Sequence, residues 1–230
     1  MAKRPIFIPI NIFPYVKEKL VAFKWHSGFA VTQKQKSIYE FHNTATDLKL
    51  CITPLEISSK SEIDLGTCLS AFNLKVTLEN KAQVALENVF QAAKVFQNGG
   101  PFKDLLYVSP LDAKRDIRLK ESGDLIGFKG KNKTWPLEPK TLFYDWIYIN
   151  ALHRNPELAE GLIKYDSFTD IEFNPSKSFN CQARSAALFL GLQSANILNQ
   201  VLSNPEYFID VFTEGLIDNS DGVAVQKRLI

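Results

Sequence analysis

Between residues 82 and 97 the polar positions gather into a narrow stripe while apolar side chains take most of the remaining circumference. That pattern predicts a helix lying inside a domain. At about 100° per residue, Glu87, Gln91 and Lys94 fall within roughly 60° of one another. Phe90 flanks them on one side and Val84 and Val95 on the other, with Val89, Ala92, Ala93 and Phe96 covering most of the rest. The stripe is either a thin strip reaching solvent or a carboxylate, an amide and an amine lining a cleft. Asn98-Gly99-Gly100-Pro101 then stops the helix, because glycine permits a left-handed cap and proline bars continuation.

Elsewhere the pattern changes period. The first 60 residues predict short strands and turns, IFIPINIF, VAFKWHS and LKLCITPLEIS, separated by Pro and Gly. Ser109-Pro110 predicts a serine cap and a short basic helix running to Arg115. Residues 141–153 (TLFYDWIYINALH) form a second apolar helix, and residues 166–175 a strand running into a turn. A long helix follows over 178–202, with Asn180 and Arg184 one turn apart near its start, and a last helix over 205–216. No repeat, low-complexity tract or flexible linker divides the chain. The fold predicted is therefore α+β, a single domain over residues 1–230, strand-rich and basic over 1–60 and helix-rich over 65–216.

Composition narrows the setting. With 230 residues, 45% hydrophobic and 23% charged, the chain can bury a sizeable core. It has no apolar run long enough to cross a bilayer, and MAKRPIFIPI is too short and proline-punctuated for a signal peptide, so a cytoplasmic location is expected. Cys51, Cys68 and Cys181 are far apart and odd in number, which predicts neither a disulfide framework nor a CxxC metal site. The net charge of +2 conceals an asymmetry. Residues 1–36 carry seven Lys or Arg against Glu18 alone, a net of +6, whereas residues 157–221 carry ten acidic residues against three basic, a net of −7. The basic region could follow a phosphate backbone or be a solvated surface with no partner.

The chemistry available is restricted. The Walker loop, GxGxxG, GxSxG and HExxH signatures are missing, and His26, His42 and His153 lack metal-like spacing. No metal or cofactor is expected, and the work falls to carboxylates, amines and amides. These suit an anomeric carbon: breaking the bond from ribose C1 to a base nitrogen develops oxocarbenium character, which a carboxylate stabilises while a second acid protonates the leaving base. A desolvated lysine offers another route, since its free amine can attack the sugar as an imine. Glu87 and Lys94, about two turns apart on one face, supply both kinds of group. Spacing by itself favours a surface stripe.

Leu69-Ser70-Ala71-Phe72-Asn73, then Glu87-Asn88-Val89-Phe90-Gln91-Ala92-Ala93-Lys94, then Ser109-Pro110-Leu111-Asp112-Ala113-Lys114-Arg115 together resemble the NADAR (YbiA-like) family. That family's pattern runs LSNF, an E-x-x-x-Q-x-x-K helix and a short Pro-x-x-Ala-Lys segment. Thr169-Asp170 with Asn180-x-x-x-Arg184 is similar to its Asp-containing turn and the Asn-led helix that follows. The strings AKRPIFIP, FKWHSGF, LSAFNL, FQAAKVFQNGGPF, AKRDIRL, WPLEPKT, FYDW, FTDIEFNPSKS and NCQARSAALF look like the subfamily encoded beside DarT-type toxins. The resemblance implies a YbiA-like domain acting as an antitoxin that removes ADP-ribose from guanine bases in DNA. ADP-ribosylated DNA, ADP-ribose and the cognate toxin are its implied partners.

The same resemblance implies roles. Lys94 would form a Schiff base with ribose C1, Glu87 would be the acid or base, and Asp170 would orient the ribose hydroxyls or assist proton transfer. Phe72 and Asn73 would shape the pocket wall, Gln91 would hold Glu87 or the substrate, and Trp135 would stack on the base. Ile171-Glu172 stands where the family often has Trp-Gly after its Asp. Lys114, Arg115 and Arg118 would grip pyrophosphate or DNA phosphates, or form a solvated basic helix. Arg184 beside Asn180 would contact pyrophosphate, or pair with Asp170 or Glu172. Two other functions stay open: a small-molecule N-glycosidase acting on phosphoribosylated metabolites, and a non-catalytic ADP-ribose-binding module.

Overall fold

The computed structural model describes residues 1–130 and 133–214. It opens on an antiparallel hairpin, β1 (Ala2–Pro9) and β2 (Val16–Phe23), in register from Ala2 opposite Phe23 to Pro9 opposite Val16. A 17-residue helix follows, α1 (Val31–Asp47), which corrects the expectation of strands and turns alone over the first 60 residues. Only Ser37, Ile38, Phe41 and Ala45 are buried along it, so its apolar signal is one thin stripe amid polar and β-branched residues. That stripe meets Ile6, Val21 and Phe23, with the Phe23 and Phe41 rings stacked at 4.6 Å.

Next come β3 (Pro54–Glu56), the short α2 (Asp64–Cys68) and β4 (Lys75–Thr77). The segment predicted as one helix over 82–97 is divided into β5 (Gln83–Ala85), α3 (Leu86–Ala92) and β6 (Lys94–Phe96). Val84 pairs with Val76 of β4, and Lys94 with Phe128 of β7 (Leu125–Gly130), so ladder pairing claims both ends of the helical pattern. Between β6 and β7 lie a 3-10 turn (Lys103–Tyr107), α4 (Pro110–Arg115) and α5 (Arg118–Glu121). The Ser109 hydroxyl caps α4 by accepting the Asp112 amide at 3.1 Å, as the Ser-Pro pair predicts. β8 (Lys133–Trp135) completes a three-stranded sheet in the order β6-β7-β8.

The second half is helical. α6 (Leu142–His153) is buried on almost every side, and α7 (Pro156–Leu162) leads to β9 (Ser167–Thr169). β9 lies antiparallel to β1 and parallel to β3, giving a four-stranded sheet in the order β2-β1-β9-β3. The helix predicted over 178–202 is two, α8 (Gln182–Ser194) and α9 (Leu198–Ser203), because Asn196 adopts the left-handed conformation at φ 59. Cys181 is the N-cap of α8, so Asn180 precedes the helix instead of opening it. α10 (Pro205–Glu214) ends the described residues, and the predicted continuation to 216 lies outside them. Tyr148, Phe168 and Phe189 are fully buried where α6, α8 and the four-stranded sheet meet, and the fold is α+β as expected. No helix among the described residues is long and apolar enough to cross a membrane.

Candidate active site

A cleft of about 970 Å³ opens between α3, α4, the turn after β9 and the segment leading into α8. α3 is fixed in place by its own polar and aromatic residues. The buried Asn88 amide donates to the Leu105 carbonyl at 2.7 Å and the Val108 carbonyl at 2.9 Å, satisfying two loop carbonyls at once. Phe90 packs edge-on against Tyr144 at 5.1 Å and stacks on Phe128 at 5.4 Å. Held this way, the helix presents Glu87, Phe90 and Gln91 to the cleft, with Phe128 and Tyr144 beside them in its lining.

Lys94 reaches the same cleft although it lies beyond the helix. Its backbone belongs to β6, opposite Phe128, and the neighbouring Ala93 carbonyl accepts the Lys129 amide at 2.7 Å. Gly100, at φ +82, presses against this strand, and a Cβ there would stand 2.3 Å from the Lys94 carbonyl oxygen. Only glycine allows both that dihedral and that approach. The lysine is thus anchored by sheet pairing on one side and by a glycine on the other.

Different surroundings act on Glu87, Lys94 and Asp170 within the cleft. Glu87 Oε1 accepts from Gln91 Nε2 at 2.8 Å and lies 3.9 Å from Lys114 Nζ. The Lys94 ammonium sits 4.9 Å from the centroid of the Phe90 ring, and burial lowers its pKa, with Lys114 adding to the effect and Glu87 opposing it. Asp170 directly follows β9, and its Oδ1 accepts the amides of Glu172 at 3.0 Å and Phe173 at 3.2 Å. Burial and the nearby Glu56 push its pKa up to about 8 against those two amides. Gln91 Oε1 and Asn180 Oδ1 are buried acceptors without a partner. Lys60, Lys114, Arg115, Lys140 and Lys177 give the rim an excess of positive charge over Glu138 and Glu172.

Of the predicted site residues, Glu87, Lys94, Asp170, Phe72, Gln91, Lys114, Arg115 and Asn180 are brought together in this cleft. Four others are not. Asn73 spends its amide on the Thr67 carbonyl at 2.9 Å. Trp135, 2% exposed, is packed among Trp146, Phe143 and Phe208 in the core, where it cannot stack on a base. Arg184 pairs with Asp145 and donates to Thr141 Oγ1 at 3.2 Å, so it meets neither Asp170 nor Glu172. Arg118 is held by Asp104 at 2.5 Å and Asp116 at 2.8 Å, away from the cleft lining. Sequence reasoning missed Lys60, Tyr144, Phe173 and Phe179. Tyr144 lies on a helix apolar all round, where one cleft-facing side chain leaves no periodic signal.

Among the described residues no group of three or more His, Cys, Asp or Glu is placed to hold a metal ion. A comparison with curated proteins gave no match. A family model described as DarT1-associated NADAR antitoxin matches residues 2–222 and takes in every element of the cleft, and the chain belongs to that family.

Proposed function

We propose that the cleft hydrolyses the N-glycosidic bond joining ADP-ribose to guanine in DNA, reversing the modification made by the toxin with which the family is associated. One observation carries this reading: Lys94 offers an amine whose pKa burial lowers, in the same cleft as the Glu87 carboxylate and the Asp170 carboxyl, whose pKa burial raises. A lowered pKa makes the amine a better nucleophile, and two carboxyl groups in different surroundings can divide the roles of acid and base.

The steps balance with one water. The Lys94 amine bonds to ribose C1 as the bond from C1 to the guanine nitrogen breaks. Asp170 gives its proton to the leaving base, and Glu87 takes the proton that the amine loses. The ribose ring opens to a protonated imine between C1 and Lys94, with Glu87 passing its proton to the ring oxygen. Water then adds to C1 and the carbon–nitrogen bond to Lys94 breaks, returning the neutral amine, releasing ADP-ribose and giving the remaining proton back to Asp170. Gln91 Oε1 and Asn180 Oδ1, unpaired and buried, would accept from ribose hydroxyls, and the cationic rim would hold the pyrophosphate and flanking DNA phosphates.

Borohydride added during turnover of a guanine-modified oligonucleotide is expected to leave a ribosyl adduct on Lys94, located by peptide mass. Lys94→Arg should give no adduct and release ADP-ribose at least about a hundredfold more slowly. Unchanged release by that variant overturns the nucleophile, and tight binding without any release identifies a binding module instead. Turnover of a phosphoribosylated metabolite but not of modified DNA would reassign the substrate.

A further inference from the structure

Glu56 lines no part of the cleft and enters none of the steps above, yet it is a carboxylate sealed in the interior at 2% exposure. β3 and β9 run parallel with Glu56 opposite Thr169, so both strands end where Asp170 turns into the cleft. Glu56 Oε1 accepts the Ile171 amide at 2.8 Å and Oε2 the Thr169 hydroxyl at 2.6 Å. These two donors sit immediately before and after Asp170. We propose, resting on the glycosidase reading, that Glu56 is a positioning residue whose buried negative charge clamps the turn on both sides of Asp170 and keeps that carboxyl in its acid form.

The location of the proton follows from the donors. Glu56 receives the Ile171 amide, the Thr169 hydroxyl and the Ser58 hydroxyl. The single hydroxyl proton of Thr169 is spent on Glu56, so Thr169 Oγ1 accepts from His42 Nε2 at 2.8 Å. That arrangement fits a neutral His42 carrying its proton on Nε2, and burial lowers the His42 pKa to about 4. Asp170, by contrast, has both amides on Oδ1, and its Oδ2 meets the Cys181 thiol at 4.0 Å. Hydrogen bonds to a carboxylate favour its charged form, and a second negative charge beside it is disfavoured. Burial raises the pKa of both carboxyls, but three donors favour the charge on Glu56 against two amides on Asp170, which makes Glu56 the ionised member of the proposed pair and Asp170 the acid.

The other groups that act on Asp170 are Glu172 of its own turn, Arg4 from β1, Tyr144 and Tyr148 from α6 and Cys181 at the start of α8. Arg4 is the positive one, and it is shared with Glu172. Glu172 adds to the effect of Glu56, but it stands on the cleft side and half-exposed, where solvent screens it. Removal of Glu56 should therefore dominate.

The test follows Asp170 by carbon-13 NMR of labelled aspartate carboxyls, assigned by the loss of one signal in Asp170→Asn. In the unaltered protein the carboxyl is expected to titrate near pH 8. Glu56→Gln keeps an oxygen for the Ile171 amide but loses the charge, and Asp170 should then titrate at least about one unit lower, with the high-pH limb of ADP-ribose release moving down by the same amount. Glu56→Asp should restore most of the shift. If Glu56→Gln does not fold, Thr169→Val withdraws one donor from Glu56 and should lower the Asp170 midpoint in the same direction. An Asp170 midpoint unmoved in the folded variants overturns the proposal, even where the rate falls. Because the titration needs no turnover, a protein inactive on modified DNA defeats the glycosidase reading while leaving the pairing of Glu56 with Asp170 separately decided.

Discussion

Replacing Trp135 with alanine separates a core role from a substrate role. The indole lies 5.3 Å from the Trp146 ring, 5.6 Å from Phe143 and 6.4 Å from Phe208, centroid to centroid. It thereby ties β8 to α6 and α10. Truncation removes three aromatic pairs and leaves a cavity that neighbouring rings fill only in part, at a cost of about 3–5 kcal/mol. For a chain of this length, each kcal/mol lowers the melting temperature by about 2–4 °C, so the expected fall is roughly 6–20 °C. Thermal melts followed by far-UV circular dichroism measure that fall. Release of ADP-ribose from modified DNA, assayed well below the variant's transition, should stay within about twofold of the unaltered rate, because the side chain does not line the cleft. An unchanged melting temperature with a collapsed rate would refute this reasoning and return the indole to the substrate.

Three further outcomes are expected. Glu87→Gln removes the carboxylate held by Gln91 and should slow release by about 10² to 10⁴-fold without altering the melting temperature by more than a few degrees; an active variant would exclude Glu87 as the base. Asp170 holds its proton up to about pH 8 in the folded protein, against about 3.9 when unfolded, so its contribution to stability declines as pH rises between those values by up to about 1.4 kcal/mol per unit. His42, pushed down to about 4, acts in the opposite sense below about 6.5, so the decline should emerge in urea unfolding between about pH 6.5 and 8 and be lost in Asp170→Asn; parallel profiles for the two proteins would contradict it. Gly100→Ala forces a side chain into a left-handed position against the Lys94 carbonyl and should cost about 1–3 kcal/mol while lowering the rate; full activity would show that the strand has room to give.

Several features were legible because they depend on neighbours in the chain. The α6 segment is apolar on every face, and a helix of that kind has nowhere to go but the core. Ser109 and Pro110 announce the start of α4, since a hydroxyl acceptor and a preset φ answer the unpaired amides of any helix start. Other features were illegible for equally local reasons. α1 carries too thin a stripe to outweigh its β-branched residues, and the break after α8 rests on one asparagine whose left-handed conformation the flanking apolar periodicity hides.

The grouping of Glu87 and Gln91 on one side was determined by sequence spacing alone, because side chains four apart share a helical face, whereas Lys94 lies beyond the helix and joins them only through the tertiary structure. Whether that side met water or a cleft was decided only by the tertiary structure. Asn88 had to fix α3 to the loop carbonyls behind it, and β7 with Gly100 had to draw Lys94 into a strand without turning it away. The carboxyl that faces them comes from a turn some 80 residues further along, and its proton is governed by Glu56 from a strand more than 100 residues before that turn. Charge placed so far apart along the chain carries no periodicity, and only the parallel pairing of β3 with β9 brings it to bear on the cleft.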